Sequence, residues 1–145
     1  MFALVDDDDF EKVNIGRWTA QKRATGDYHA AKYIGEKYVY MHRLILEPKE
    51  GYQTDHIDGN GLNNQKYNLR YVTKRQNQWN RHRAKGRFKG LSKDKRRGTF
   101  RANIFVNGKQ KYLGEFKTEE EAAKKYNEAA LTYFGEFARL NEISI

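Results

Sequence analysis

Asp55 and His56 stand side by side at the end of YQTDHI, and an Asn-rich run follows them: TDHIDGNGLNNQKYNLRYVTKRQNQWN. An Asp carboxylate and an Asn amide oxygen are ligands for a hard divalent cation such as Mg²⁺, with water and phosphate oxygens filling the other positions. A neutral His beside that cation can accept a proton from water near pH 7. Those are the parts needed to hydrolyse a phosphodiester. An Asp-His pair in a loop also occurs as a plain structural hydrogen-bonding pair, so the surrounding elements have to be read.

YQTDHI alternates like a strand, and Gly59, Asn60, Gly61 and Asn63 permit a tight loop after it. Asn68 lies in YNLRYV, which reads as the return strand. Thr73 is a cap for a helix over TKRQNQWNRHR, with Asn77 on its first turns. Strand, loop, strand, helix brings Asp55, His56 and Asn77 near one another across the intervening sequence. Asp58 suits an Asx turn better than a metal ligand. His42, in YMHRLIL, is expected on a short helix as a structural histidine, with a phosphate contact as the alternative. His82, in the basic linker NRHRAKGR, is expected to face solvent or phosphate, and the surroundings of His29 carry no signal.

The chain has 145 residues, no Cys and a formal net charge of +9. Without Cys there is neither a disulfide framework nor a thiolate zinc site. No apolar run reaches the length of a signal segment or membrane span, so a soluble, cytoplasmic protein without a membrane partner is expected. Aromatic residues make up 14% of the chain, which points to small cores built on rings. The charge is uneven. Residues 85–112 carry 10 basic side chains against 1 acidic, whereas residues 113–145 carry 4 against 7. So dense a block, interleaved with Gly and Phe, points to a polyanion, and nucleic acid is the leading partner.

In the C-terminal third, FKGLSKD, GTFRANIFV and KQKYLGEF read as three short strands, with Asn107-Gly108 as a two-residue hairpin turn. Phe100, Ala102, Ile104 and Val106 fall on one face of the middle strand, and Thr99, Arg101, Asn103 and Phe105 on the other. Thr118 and Glu121 form a capping box for a helix from about Glu119 to Phe134, stopped by Gly135. Ala122, Tyr126, Ala129, Ala130 and Tyr133 make its expected inward stripe. The landmarks YLGEF, EEAAKKYNEAA and FGEFARLN over residues 86–141 resemble the AP-two domain of plant ethylene-response factors. That resemblance implies a sheet lying in the major groove of double-stranded DNA, with contacts from Lys89, Lys93, Arg97, Arg101, Asn103, Lys109 and Tyr112. Ser92, Phe105 and Gln110 stand where the plant proteins usually have arginine, so the plant target sequences do not carry over.

Residues 41–82, with the spacing DH–NLR–T–QN–NR, resemble the HNH nuclease motif in the form common among phage homing endonucleases. The resemblance implies a small ββα-metal (His-Me finger) core with His56 as general base. It implies Asp55 and Asn77 as ligands of one divalent cation, Mg²⁺ or Mn²⁺, and Asn68 as the residue that ties the loop and orients His56. The reading is therefore an α+β protein in two parts. Residues 1–84 hold a β-rich support segment and the nuclease core, and residues 85–145 hold a DNA-binding sheet packed on one helix. The expected activity is site-directed cleavage of DNA, as a monomer and without a small-molecule cofactor. The competing reading is a non-catalytic DNA-binding regulator on a relic nuclease fold. In residues 1–50, FALVD, GRWTAQKR, GDYHAAKYI and KYVYMHR read as short strands, and Asp7 as the cap of a short helix with Phe10 and Val13 inward. Leu4, Val5, Phe10, Trp18, Tyr28, Tyr33, Tyr38 and Tyr40 are the expected small core.

Overall fold

The computed structural model describes residues 1–24, 26–81 and 88–143. His82 and the expected boundary at 84/85 lie outside those residues. Two compact units divide the chain, Met1–Asn80 and Arg81–Ile145.

The first unit begins with α1 (Asp7–Val13), whose first turn holds Asp7, Asp8 and Asp9 at the positive end of the helix dipole. The cap position belongs to Asp6 and not to Asp7, and the Asp6 carboxylate is used elsewhere: it accepts from Gln65 Nε2 (3.1 Å) and the Lys66 amide (2.7 Å). Strands β1 (Thr19–Lys22), β2 (Tyr28–Ile34) and β3 (Lys37–Tyr40) form an antiparallel sheet in that order. FALVD is not a strand; Leu4 makes only an isolated bridge to Asn63. Next come α2 (Met41–Ile45), the hairpin of β4 (Gln53–His56) and β5 (Leu69–Val72), and α3 (Lys74–Trp79). Thr73 and Gln76 close a full capping box on α3.

Val13, Ala30, Met41, Ile45 and Leu69 form the core, with Val5, Trp18 and Leu62 among the side chains packed against it. It is aliphatic where rings were expected. Phe10 is 49% exposed, and Tyr33 and Tyr38 pair with each other at 5.0 Å on the exposed end of their hairpin. The core links α1, β2, α2 and β5, and so fixes two flanking histidines, His29 beside Ala30 and His42 beside Met41.

In the second unit β6 (Leu91–Asp94), β7 (Thr99–Val106) and β8 (Lys109–Phe116) make an antiparallel sheet, followed by α4 (Glu119–Phe134). Asn107 (φ 55°) and Gly108 (φ 76°) turn β7 into β8, both in the left-handed region that this turn requires. Thr118 and Glu121 exchange both hydrogen bonds of their capping box. The buried row of α4 is Ala122, Tyr126, Ala130 and Phe134, with Ala123 beside it, against Ala102 and Ile104 of the sheet. Tyr133 is 41% exposed, contrary to the expected stripe, and its hydroxyl accepts from Lys111 Nζ. A single i, i+4 row faces the sheet, and position 133 lies beside it. Asn141 closes the unit. Its side chain accepts from the Lys89 amide (2.6 Å) and donates to the Lys89 carbonyl (3.1 Å). Its backbone N–H and C=O pair with the Asn127 amide at 2.8 and 2.9 Å.

Candidate active site

β4 and β5 pair with Asp55 opposite Arg70 and His56 opposite Leu69. The loop between them is a web of Asn and Asp contacts. Asn68 accepts from the Asp58 amide (3.0 Å) and donates to Asp58 Oδ1 (3.0 Å) and the Asn63 carbonyl (2.8 Å). Asp58 Oδ1 also accepts from the Asn60 amide at 2.7 Å, the Asx turn read from the sequence. Against the opposing effect of partial burial, a bond from Asn63 Nδ2 to Oδ2 (2.9 Å), with those from Asn60 and Asn68, holds the Asp58 carboxyl below its ordinary value. The N-terminal segment clips the loop from outside: Leu4 exchanges backbone bonds with Leu62 and Asn64, and Asp6 grips Gln65 and Lys66. Asn68 thus ties the loop, but a different amide touches His56.

That amide is Asn64, fully buried, whose Oδ1 lies 3.3 Å from His56 Nε2. An amide oxygen can only accept, so the contact puts the ring proton on Nε2 and the lone pair on Nδ1. Burial depresses the His56 pKa below 6.5, opposed by the Asn64 hydrogen bond and by Asp58 and Asp55. The ring is therefore neutral at neutral pH.

Asp55 is buried, and its nearest partners are not Asn77. Asn80 Nδ2 lies 3.1 and 3.0 Å from the two carboxylate oxygens and 2.8 Å from the His56 carbonyl. Arg70 Nε adds a bond of 3.0 Å to Oδ2. Asn77 Nδ2 instead donates to Gln53 Oε1 (2.7 Å), two residues before Asp55 on β4, and that contact engages only its nitrogen. Asp55 and His56 are adjacent as expected, then, while the amide seated on Asp55 comes one turn later in the chain. The donors around Asp55 and Asn77 are oxygen and amide with no sulfur, a set that fits a hard divalent cation.

Two further histidines reach His56. His29 on β2 and His42 on α2 lie with ring centroids 5.2 and 5.1 Å from His56 and 5.5 Å from each other, all three edge-on. One ring nitrogen from each lies within 4.8 Å of those from the other two. His42 also stacks on Tyr40 at 5.6 Å. Desolvation by burial, reinforced by the neighbouring imidazoles, lowers His29 to about 4 and His42 to about 3. His42 lies buried on a short helix, as expected. Neither sequence spacing nor composition marked His29, Asn64 or Asn80. Arg70 was readable in principle, because pairing YQTDHI with NLRYV sets it opposite Asp55.

In the second unit, the register sorts the residues assigned to DNA contact. Arg101 lies opposite Ser92 and Glu115, and Asn103 opposite Tyr112, on the face away from α4. Tyr112 is 61% exposed there, beside Phe105 at 63%. Lys93 lies opposite Phe100 with its ammonium 5.4 Å from that ring, and Lys109 opposite Val106, so both stand on the face that carries α4. Arg101 pairs with Asp94 (2.7 Å) and Glu115 (3.5 Å), and Arg97 with Glu115 (3.5 Å). Both carboxyls titrate below their ordinary values, Asp94 first through the Arg97 and Arg96 backbone amides and Glu115 first through Thr99. Lys89 is held through its backbone by Asn141.

Residues 39–79 match a family described as HNH endonuclease, a span that contains Asp55, His56, Asn68 and Asn77 and ends one residue before Asn80. An uncharacterized HNH endonuclease of Acanthamoeba polyphaga mimivirus is 34% identical over 145 residues, covering 98% of this chain and 75% of its own length. Protein 3.8 of Escherichia phage T7 is 42% identical over 64 residues, 42% of this chain and 53% of that protein. No solved structure matches. No helix among the described residues is long and apolar enough to cross a membrane. With the relationship to the mimivirus protein running along nearly the whole chain, this protein belongs to the HNH endonuclease family.

Proposed function

We propose that this chain is a site-directed DNA endonuclease of the homing type, in which His56 is the general base that takes a proton from the attacking water. The observation that carries the reading is the state of His56. It is buried, and its Nε2 lies 3.3 Å from the Asn64 amide oxygen, which can only accept, so Nε2 carries the proton and Nδ1 is left as the acceptor. A base oriented this way contributes ~10²–10⁴-fold to a hydrolysis rate. Asn68 acts through the loop it ties, fixing the backbone on which His56 rides.

HNH nucleases use a divalent cation, and here Asp55 and Asn77 would hold Mg²⁺ or Mn²⁺, supplying charge stabilisation at the leaving oxygen. Asp55 would offer the cation the carboxylate that Asn80 and Arg70 now hold. The ββα-metal description fits the order of β4, β5 and α3. The AP-two resemblance is supported by the sheet-and-helix unit, with Arg101, Asn103 and Tyr112 as its base-reading candidates. Arg97 and Arg101 are paired with Asp94 and Glu115, and DNA would have to compete with those carboxylates for them. Lys93 and Lys109 are better suited to a phosphate at the sheet edge than to a base.

The test is cleavage of the genome that encodes the protein, with mapped ends, in Mg²⁺ and in EDTA, for the parent and for His56→Ala. Cleavage that needs the cation and falls by two orders of magnitude or more in the variant is expected. Cutting at the parent rate by His56→Ala, or robust cutting in EDTA, would overturn the assignment.

A further inference from the structure

Three of the four histidines in the chain converge from three separate elements of the first unit, although 26 residues lie between the first and the last. They are 9%, 7% and 5% exposed, in the order His29, His42, His56. His42 Nδ1 is enclosed with no hydrogen-bond partner among the described residues. An orphaned buried imidazole nitrogen costs stability unless something fills it. The pocket is also built around the cluster. A Cβ on Gly61 would come within 2.5 Å of His29 Nε2 and of the Tyr28 carbonyl, so only glycine lets the loop close over the ring.

We infer that His29, His42 and His56 form a binding site for one transition-metal ion of the zinc, cobalt or nickel class, distinct from the oxygen site at Asp55 and Asn77. Neutral imidazoles select such borderline ions over Mg²⁺, which keeps to oxygen. Metal–nitrogen bonds of ~2.0–2.1 Å put tetrahedral ligands roughly 3.4 Å apart, so nitrogens now within 4.8 Å close by at most about 1.4 Å through rotation of the rings. Outer partners are already in place. Asn64 holds His56 Nε2, and Asp27 lies 3.3 Å from His29 Nε2, ready to accept its proton once Nδ1 binds the metal. Arg23, now 3.1 Å from the same nitrogen, has Asp27 as its alternative partner. The fourth position is left to water.

His56 cannot bind the ion through Nδ1 and accept a proton there at once. Loading the three-histidine site therefore switches hydrolysis off, a consequence that rests on the proposed role of His56 as the base.

The experiment uses the full, tag-free chain stripped with EDTA and then dialysed. Co²⁺ is the probe, since four-coordinate cobalt gives an intense visible absorption. One equivalent is expected to saturate the band, with His42→Gln and His29→Gln each weakening binding at least about tenfold while their circular dichroism stays that of the folded parent. Absence of the band in the folded parent, or an equal band in both variants, overturns the site. In a second arm Zn²⁺ is titrated into Mg²⁺-driven cleavage, with each protein normalised to its own zinc-free rate. Inhibition that saturates near one equivalent in the parent and needs at least tenfold more zinc in the variants is expected. Cobalt binding without zinc inhibition would leave the site standing and overturn His56 as the base.

Discussion

The amide on Asp55 can be told apart from the amide assigned to the metal by replacing each with alanine. Asn80→Ala removes one nitrogen that donates to a buried carboxylate at 3.0 and 3.1 Å and to the His56 carbonyl at 2.8 Å. A hydrogen bond to a charged group contributes ~1.5–3 kcal/mol, and a buried acceptor left bare costs ~1–3 kcal/mol. Arg70 still faces Asp55 and offsets part of that, so a loss of about 2–4 kcal/mol is expected. In a unit of this size each kcal/mol moves the melting temperature by roughly 4–8 °C, so Asn80→Ala should melt at least about 10 °C lower by differential scanning calorimetry. Asn77→Ala gives up one contact with Gln53 at the surface, worth within about 0.5 kcal/mol, and should melt within a few degrees of the parent. Its loss should fall on cation-dependent cleavage instead. The two variants thus separate what holds Asp55 from what serves the reaction. An Asn80→Ala protein that melts within about 2 °C of the parent would refute the reasoning.

Four more outcomes are expected. Because burial depresses His56 below 6.5, the acid limb of the rate–pH profile should lie below pH 6.5, since the base works only unprotonated; a limb above that value contradicts it. His29 and His42 titrate near 4 and 3 when folded, so the unfolded chain binds more protons below pH 6.5 and stability falls as pH falls toward those values. At pH 5 the loss is roughly 2 kcal/mol for each, seen as a lower melting temperature in metal-free buffer, and a flat profile would argue against their burial. Gly61→Ala should destabilise by about 1–3 kcal/mol in thermal melts, because both His29 and a backbone carbonyl lie where the methyl must go, and an unchanged melt would contradict the packing. Replacing Arg101 and Asn103 together with Ala should relax the choice of cut site, by ~1–3 kcal/mol of discrimination if a bidentate base contact is lost; unchanged cut sites would place the reading elsewhere.

What the sequence made legible was local. Capping boxes at Thr73 and Thr118, the Asn107-Gly108 turn and the alternation along Thr99–Val106 each depend on neighbours a few residues apart, and all are present. What stayed hidden needed a register or a crossing angle. Asn77 lies on α3 and Asn80 caps its end three residues on, and only the approach of α3 to β4 decides which amide meets Asp55. Lys93 was expected among the DNA contacts of the sheet, and only the β6–β7 register shows that it stands opposite Phe100, on the face that carries α4. His29 is separated from His42 by a complete strand and from His56 by a further helix, and nothing in its own surroundings signals the meeting. The aromatic core failed for a different reason. Small aliphatic residues on α1, β2 and α2 pack closely enough to leave Phe10, Tyr33 and Tyr38 to solvent.

The amide of Asn141 treats Lys89 as a neighbouring β-strand would, meeting both its N–H and its C=O across 52 residues of sequence. The strand-and-helix unit therefore enters and leaves at a single point. A module with its two ends tied side by side can be spliced into a surface loop of another protein without spreading that loop, or re-cut at Asn107-Gly108 with the old ends joined by a short linker. By that geometry, the stitch that closes the fold is also what keeps the two ends of the sheet and helix together.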